Sequence, residues 1–302
     1  MPDPRTWTVL ELVKWTADYF GSHALDNARS EAEVLLAHSL GLRRIDLYLD
    51  HDKPLCDDEL RRFKDLIKRR IDREPLAYIT GTREFWSLPF SVNPSVLIPR
   101  PETECLVEAV LPFLAGDAST PKRVLDMGTG SGAIVVALAH EHPRHRYTAM
   151  DRSLQALRTA RENAHRNRVD RCIDWFCGSW EDALRPDGIR FDLIASNPPY
   201  VRSGDLAGLQ PEIRRHEPRS ALDAGADGLD CLRRIIRSAH RLLGAGGVLA
   251  LEMGCDQGAE VRSLGEAAGA YTDIRIVRDY SGLDRVAVMR KKALRRIAIS
   301  VN

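Results

Sequence analysis

Short apolar runs alternate with amphipathic segments from residue 123 onward, and this alternation constrains the fold more than any other feature of the sequence. The apolar runs are strand candidates at 123–127, 146–150, 172–176, 190–195, 247–253 and 273–277. Helical spacing of apolar residues marks the segments 131–140, 153–165, 228–243 and 256–268. Strands and helices in alternation predict an α/β fold, in which helices cover both faces of a mainly parallel sheet.

A seventh strand candidate, 285–289, follows the sixth after the short Ser281-Gly282 turn. So short a connection joins antiparallel neighbours, because a parallel crossover needs a dozen or more residues. The sequence therefore predicts a mainly parallel seven-stranded sheet with an antiparallel hairpin at one edge.

The N-terminal segment predicts a second, smaller domain. At 302 residues the chain exceeds the ~250–300 residues at which a single core usually stops growing. Thr8 and Glu11 have the spacing of a capping box, which signals the start of a helix. Asp26 opens a second helix, and 57–73 repeats apolar residues at helical steps. Residues 1–74 are therefore predicted to form a small helical domain.

The sequence divides into the helical domain 1–74, a linker 75–100 and an α/β domain 101–302. Within the linker, residues 78–86 predict two short strands around Gly81, because glycine between β-prone residues favours a turn. The apolar side chains of the linker indicate that it packs against another part of the molecule.

Charge and cysteine usage exclude several classes of function. Lys+Arg 44 against Asp+Glu 43 leaves a net charge of +1, so we expect no direct stable nucleic-acid binding. Basic residues in 61–73 alternate with acids and indicate a solvated helix face. The same interpretation applies to the basic tail residues Arg290, Lys291, Lys292, Arg295 and Arg296. The six cysteines form no C-x-x-C pair, so reduced thiols and no metal site are expected.

The N-terminus and the hydropathy of the chain predict a cytoplasmic protein. Residues 1–5 lack the basic and then apolar order of a signal peptide. The longest clean apolar stretch, 133–139, is far shorter than the ~20 residues of a membrane span. We therefore expect a cytoplasmic location without a membrane partner.

A glycine-rich turn lies between the first strand of the α/β domain and the helix that follows. The turn consists of Gly128, Thr129, Gly130, Ser131 and Gly132. Glycines at alternate positions let backbone amides approach a ligand without an obstructing Cβ atom, and the helix start adds positive dipole character. The pattern is also compatible with a dinucleotide fingerprint if Ala133 takes its last place.

Asp151 ends the second strand of the α/β domain, 19 residues past Gly132. A carboxylate there can accept hydrogen bonds from both hydroxyls of a ribose, which fits either kind of adenosine cofactor. The alternative is a cap for the helix that begins near Ser153. Because the glycine turn follows the adjoining strand, we favour an adenosine ligand at the carboxyl edge of the sheet.

Asn197-Pro198-Pro199-Tyr200 directly follows the fourth strand. Two consecutive prolines fix φ and remove two N–H donors, and Pro198 keeps Asn197 out of the helical region. The result is a stiff corner with carbonyl acceptors, a side-chain amide at its head and an aromatic ring at its end. Such a corner would select a planar group that offers an NH₂.

The nitrogen of an amide is a poor nucleophile because its lone pair is delocalised. If the Asn197 side-chain oxygen and the Pro198 carbonyl each accept one N–H, they hold the nitrogen and favour the electron redistribution needed for attack. Asn197 is therefore the predicted catalytic residue, and Tyr200 could stack on the amide plane and exclude water. Orientation of the reacting atoms can contribute up to roughly 7–11 kcal/mol.

These motifs resemble the HemK/PrmC family, whose members use S-adenosylmethionine to methylate the glutamine amide nitrogen of peptide chain release factors. The resemblance extends over nearly the whole chain. It includes 73–81, 97–104, Glu217-Pro218, 221–229 and Asp284-Arg285-Val286. Many amino-methyltransferases share Asn-Pro-Pro-Tyr, but few combine it with this linker and a helical domain in front.

The resemblance implies a Rossmann-like class I methyltransferase domain that needs no metal. Its S-adenosylmethionine, with S-adenosylhomocysteine as product, would be bound by Gly128, Thr129, Gly130, Ser131, Gly132, Asp151, Trp180 and Asn197. The substrate glutamine would be bound by Asn197, Pro198, Pro199 and Tyr200. The implied substrate is the Gly-Gly-Gln loop of class 1 release factors, which the helical domain would grip. Arg100, Thr103 and Glu104 would border the pocket or simply be solvated.

Other functions stay open at this point. A ribosomal-protein glutamine methyltransferase would keep the same sheet and corner. A nucleic-acid adenine N6 methyltransferase would use the same NH₂ chemistry but usually needs a cationic channel. A nicotinamide-dependent dehydrogenase would explain the glycine turn and leave Asn-Pro-Pro-Tyr unexplained, whereas a non-catalytic adaptor would bind release factor or RNA without turnover.

Overall fold

The structure is a computed structural model that describes residues 7–115, 120–184 and 188–293. Residues 1–5, on which the signal-peptide prediction rests, and Arg295 and Arg296 of the predicted basic tail lie outside the described residues. The chain divides into two compact units. One consists of Met1–Gly81 with Gln210–His216, and the other of Thr82–Leu209 with Glu217–Asn302.

The first unit is helical in its described part. Its N-terminal helices are α1 (Val9–Ser22), α2 (Ala28–Leu40), α3 (Asp46–Leu49), α4 (Asp57–Ile71) and α5 (Leu76–Thr80). The predicted capping box is present, since the Thr8 hydroxyl accepts from the backbone N–H of Glu11 at 3.4 Å and the Glu11 carboxylate accepts from that of Thr8 at 3.0 Å. The predicted helix start at Asp26 is one residue early, because Asn27 is the N-cap.

A buried arginine joins separate stretches of sequence within this unit. Arg70 is only 5% exposed, and its guanidinium donates to Glu31 at 2.6 Å and to Glu212 at 3.0 Å. Arg73 donates to the same Glu212 oxygen at 3.2 Å. Burial would raise the pKa of Glu212, but a hydrogen bond from its own backbone N–H and those from the two arginines hold it below its usual range.

The predicted pair of strands around Gly81 is wrong. Gly81 instead ends α5 in the left-handed conformation, with φ of 71°. The hairpin comes later, between β1 (Thr82–Phe85) and β2 (Leu88–Ser91), and its turn is made by Trp86 and Ser87 with φ of 54° and 56°. Glycine serves helix ends as readily as hairpin turns, so its position alone could not distinguish the two.

The second unit contains a seven-stranded sheet with the strand order β5-β4-β3-β6-β7-β9-β8. Its strands are β3 (Arg123–Met127), β4 (Arg146–Asp151), β5 (Ile173–Cys177), β6 (Phe191–Ser196), β7 (Leu243–Glu252), β8 (Tyr271–Arg278) and β9 (Asp284–Lys291). The first five strands in this order are parallel to one another. Strand β9 is antiparallel to both of its neighbours, β7 and β8. The predicted mainly parallel sheet with an antiparallel edge hairpin is confirmed.

Helices cover both faces of this sheet. Along the chain they are α6 (Glu104–Leu114), α7 (Ala133–Glu141), α8 (Leu154–Arg166), α10 (Asp230–Ala239) and α11 (Gly258–Ala267), and the short α9 (Pro211–His216) belongs to the helical unit. Neighbouring residues of β3 point to opposite faces, so Val124 packs with α6 and α7 while Leu125 packs with α10 and α11. None of the described helices combines the length and apolar character needed to cross a membrane.

The strand order fixes where a ligand can bind. From β3 the chain continues outward to β4 on one side, and β6 pairs with β3 on the other. Such a switch point leaves a crevice at the carboxyl ends of the strands. The glycine turn, Asp151 and Asn197 follow or end β3, β4 and β6 respectively, so the topology brings them to one edge.

Candidate active site

The glycine turn after β3 is held open by its backbone conformation. Gly128, Gly130 and Gly132 all have positive φ, at 72°, 55° and 83°. A Cβ atom added to Gly132 would lie 3.1 Å from Cβ of Ala160, so this glycine permits close packing on α8. A Cβ atom on Gly130 would meet no atom of the described residues within 4 Å, which indicates that this part of the turn faces open space.

Asp151 connects the glycine turn to the end of β4. Its carboxylate accepts from the backbone N–H of Gly130 and from that of Ser153, both at 2.9 Å. Ser153 itself caps α8, because its hydroxyl accepts from the backbone N–H of Ala156 at 3.2 Å. Each carboxylate oxygen has further acceptor capacity, so Asp151 can hold the turn and still receive a ligand hydroxyl.

A cavity of about 450 Å³ lies over this edge of the sheet. Among the predicted cofactor residues, its walls contain Gly128, Thr129, Gly130, Ser131, Asp151, Trp180 and Asn197. Gly132 is outside the lining, in keeping with its packing role. The Trp180 ring closes one side, since a Cβ atom on Gly128 would lie 3.7 Å from it.

The Asn197–Tyr200 corner borders the same cavity through Asn197 and Pro199, while Pro198 and Tyr200 are outside the lining. Ser196 ties the corner to the glycine turn, because its hydroxyl donates to the carbonyl of Met127 at 2.6 Å. Among the described residues, neither the Asn197 side-chain oxygen nor the Pro198 carbonyl accepts a hydrogen bond. Both oxygens are therefore unpaired among the described residues; Asn197 borders the cavity directly, whereas Pro198 is buried beside it.

The residues before α6 complete the wall of the cavity. Arg100 and Thr103 line it, and Arg100 forms an ion pair with buried Glu217 at 2.5 Å. Glu104 has another role, since its carboxylate accepts from the backbone N–H of Trp86 in the hairpin turn at 2.7 Å. Thr103 contacts the acceptor corner directly, because its hydroxyl accepts from the Asn197 side-chain NH₂ at 3.1 Å.

Comparison with known proteins decides the family. Residues 11–81 match the model of the PrmC N-terminal domain, and 103–210 match the methyltransferase small domain. A release factor glutamine methyltransferase of Geobacter sulfurreducens is 44% identical over 94% of this chain and 96% of its own length. That of Chlorobaculum tepidum is 42% identical over 94% of this chain and 98% of its own. The chain belongs to the release factor glutamine methyltransferase family.

Solved structures agree with this family at the level of the fold. A methyltransferase from Pyrococcus furiosus has a TM-score of 0.51 at 18% identity, over 77% of this chain and 98% of that one. The hMettl16 catalytic domain has a TM-score of 0.55 at 15% identity, over 72% and 80%. The predicted resemblance to the HemK/PrmC family and the class I methyltransferase fold are confirmed.

Two buried acids near the cavity, Asp126 and Glu252, were not among the residues predicted for the site. Burial raises the pKa of Asp126 to about 7, despite hydrogen bonds from Thr129 and Val135. Burial likewise raises the pKa of Glu252 to about 7, against the hydroxyls of Thr103 and Tyr200 and the positive charge of Arg285. A signal existed for Glu252, since it lies at the carboxyl end of the apolar run 247–253.

Because the pKa of Glu252 is raised, the free energy of unfolding of the wild type should decrease as the pH rises. We predict that this decrease is smaller in Glu252→Gln. A buried acid with a raised pKa favours the folded state at low pH, and this contribution is lost as pH rises through about 7. Between pH 5 and pH 8 the wild type should lose about 2 to 3 kcal/mol of unfolding free energy through Glu252. Urea unfolding of the methyltransferase unit at both pH values measures this difference.

The matched control is Glu260→Gln, which removes an exposed acid from α11. It should leave the wild-type pH dependence intact. Equal pH dependence in wild type and Glu252→Gln would show that Glu252 is ionised in the folded protein at both pH values.

Proposed function

We propose that this protein transfers a methyl group from S-adenosylmethionine to the side-chain amide nitrogen of glutamine in the Gly-Gly-Gln loop of class 1 peptide chain release factors. One observation carries the proposal: Asn197 and Pro198 directly follow β6 with unoccupied acceptors, and Asn197 lines the cavity that the glycine turn borders. The names of the full-length relatives support the release factor as substrate.

The residues around the cavity fit S-adenosylmethionine. Gly130 faces open space, Asp151 retains acceptor capacity, and the Trp180 ring offers an apolar surface. The buried Oδ1 of Asp126 has no hydrogen-bond partner among the described residues, so the strand that leads into the turn carries an unsatisfied acceptor. When bound, the cofactor supplies a methyl group on a positively charged sulfur, and no metal is part of the proposal.

The protein would act on the acceptor amide by orientation and polarisation. The side-chain oxygen of Asn197 and the carbonyl of Pro198 would each accept one N–H of the glutamine and thereby hold its nitrogen at the cavity. These two hydrogen bonds stabilise the positive charge that develops on the nitrogen, which is the form of catalysis that preorganised dipoles provide. Tyr200 would cover the amide plane and exclude water.

The helical unit has a separate part in this proposal. We assign it to the recognition of the release factor, with the hairpin of 82–91 in the linker between recognition and catalysis. The residues proposed as cofactor and substrate ligands all belong to the second unit. A cytoplasmic location completes the proposal, since release factors act in translation.

Methyl transfer can be tested directly with the full chain and tritium-labelled S-adenosylmethionine. Purified release factor, ribosomal proteins and nucleic acid are offered in separate reactions. We expect label in a release factor peptide that contains Gly-Gly-Gln, and none when that glutamine is replaced by alanine. Label in ribosomal protein or nucleic acid, or NADH binding detected by fluorescence, would overturn the proposed function.

A further inference from the structure

A side-chain amide has two ends of nearly the same shape, and the proposed function requires one of them. Only the oxygen of Asn197 can accept an N–H of the substrate glutamine. If the amide were rotated by 180°, its NH₂ would face the NH₂ of the substrate, and donor would oppose donor. The structure must therefore contain something that fixes this orientation.

Thr103 is the first group that can do so. Its side chain is buried, with 3% exposure, and its hydroxyl accepts from the Asn197 NH₂ at 3.1 Å. A hydroxyl can both donate and accept, so Thr103 alone would tolerate either orientation of the amide. Its role depends on where its own hydrogen points.

Glu252 is the last residue of β7, and both Thr103 and Tyr200 act on its carboxyl group. It is 0% exposed, and its Oε1 accepts from the Tyr200 hydroxyl at 3.4 Å. Among the described residues its Oε2 has no hydrogen-bond partner, and the Thr103 hydroxyl is one of the groups that lower the pKa of this acid against its burial. An ionised carboxylate only accepts, so it would direct the Thr103 hydrogen toward itself and leave the Thr103 lone pairs to Asn197.

We propose that Thr103 and Glu252 are positioning residues that fix the oxygen of the Asn197 amide toward the acceptor nitrogen. The Asn197 NH₂ donates to Thr103 at 3.1 Å, and the Thr103 hydroxyl would in turn donate to Glu252, whose Oε2 has no partner among the described residues. This inference rests on the proposed function for the identity of the acceptor. It extends that function by naming the groups that give the acceptor corner its polarity.

The ionisation of Glu252 determines whether this polarity is maintained. A protonated Glu252 could donate to Thr103, whose hydrogen would then be free to point at Asn197. The groups that act on Glu252 are Thr103, Tyr200, Arg285 and Glu102, and Arg285 is itself paired with Asp279 at 3.1 Å. Turnover should therefore decrease as the pH falls below about 7.

The test compares Thr103→Val with Thr103→Ser. Valine keeps the shape and removes the hydroxyl, whereas serine keeps the hydroxyl. We expect Thr103→Val to lower kcat by about tenfold to a hundredfold, since a small misplacement of a reacting group can cost about that much. KM for S-adenosylmethionine should stay near the wild-type value, and Thr103→Ser should recover most of kcat. Thr272→Val, the same change at an exposed position of β8, is the matched control.

Glu252→Gln gives the second readout. A glutamine can donate as well as accept, so it should lower kcat at pH 8 and remove the decrease of kcat below pH 7. Wild-type kcat in Thr103→Val, equal losses in the valine and serine variants, or an unchanged pH profile in Glu252→Gln would each overturn the inference. Equal losses would indicate that Thr103 acts through packing alone.

A structural readout separates this inference from the proposed function. In enzyme labelled with ¹⁵N-asparagine, the side-chain NH₂ of Asn197 should exchange its hydrogens slowly in wild type and Thr103→Ser and quickly in Thr103→Val. This measurement does not require turnover. If wild type fails to methylate release factor but shows this difference, the proposed function fails and the positioning role stands; no difference in exchange would contradict the positioning role itself.

Discussion

Asn197→Ala should lower the rate of methyl transfer by at least about a hundredfold, by analogy with the removal of one preorganised polar contact. The substitution removes the side-chain oxygen proposed to accept from the substrate nitrogen, while the Pro198 carbonyl remains. It also deprives the Thr103 hydroxyl of its donor at 3.1 Å, so the wall of the cavity loses a defined contact. Single-turnover methyl transfer to release factor at saturating cofactor measures the effect on the chemical step.

Cofactor binding by calorimetry provides the internal control for this variant. Asn197 is one of several residues around the cavity, so S-adenosylmethionine affinity should change much less than the rate. Asn197→Asp is a useful companion, because it keeps oxygen acceptors but cannot donate to Thr103. Near wild-type turnover in Asn197→Ala would contradict the catalytic role proposed for Asn197.

Asp151→Ala should weaken the affinity for S-adenosylmethionine by about a hundredfold or more. The proposed binding mode loses two charge-assisted hydrogen bonds to ribose, each of which contributes about 1.5 to 3 kcal/mol. The glycine turn also loses its anchor, because the carboxylate accepts from the Gly130 N–H at 2.9 Å. Isothermal titration with S-adenosylhomocysteine measures affinity without turnover.

Two further variants show how much of the lost affinity is due to hydrogen bonds between Asp151 and the ribose. Asp151→Asn keeps one oxygen acceptor and removes the charge, so its affinity should be intermediate. Asp174→Ala removes an exposed acid from the neighbouring strand β5 and should bind like wild type. Unchanged affinity in Asp151→Ala would mean that the carboxylate serves only the backbone of the turn and of Ser153.

The sequence was sufficient to predict the sheet because its signals are local. Buried parallel strands appear as apolar runs, and the glycine turn identifies the strand that begins the crevice. The position of β9 between β7 and β8 could not be read from the alternation of elements. The short turn predicts that β8 and β9 pair with each other. It does not predict which of the two pairs with β7.

The site was only partly predictable for a similar reason. The glycine turn, Asp151 and the Asn197–Tyr200 corner are each contiguous motifs, so their chemistry could be inferred before their geometry was known. The contact of Asn197 with Thr103 joins residues 94 positions apart. Gly81 shows the opposite difficulty, since a local signal was present but had two meanings.

The helical unit is not a simple N-terminal addition to the chain. Arg70 and Arg73 both donate to Glu212. Glu212 belongs to 210–216, a stretch that follows four strands of the sheet in the sequence. Deletion of 1–81 would therefore leave residues 210–216 without their partners. A chimaera between two relatives should exchange both stretches together, and natural substitutions at 70, 73 and 212 should be inherited as a set.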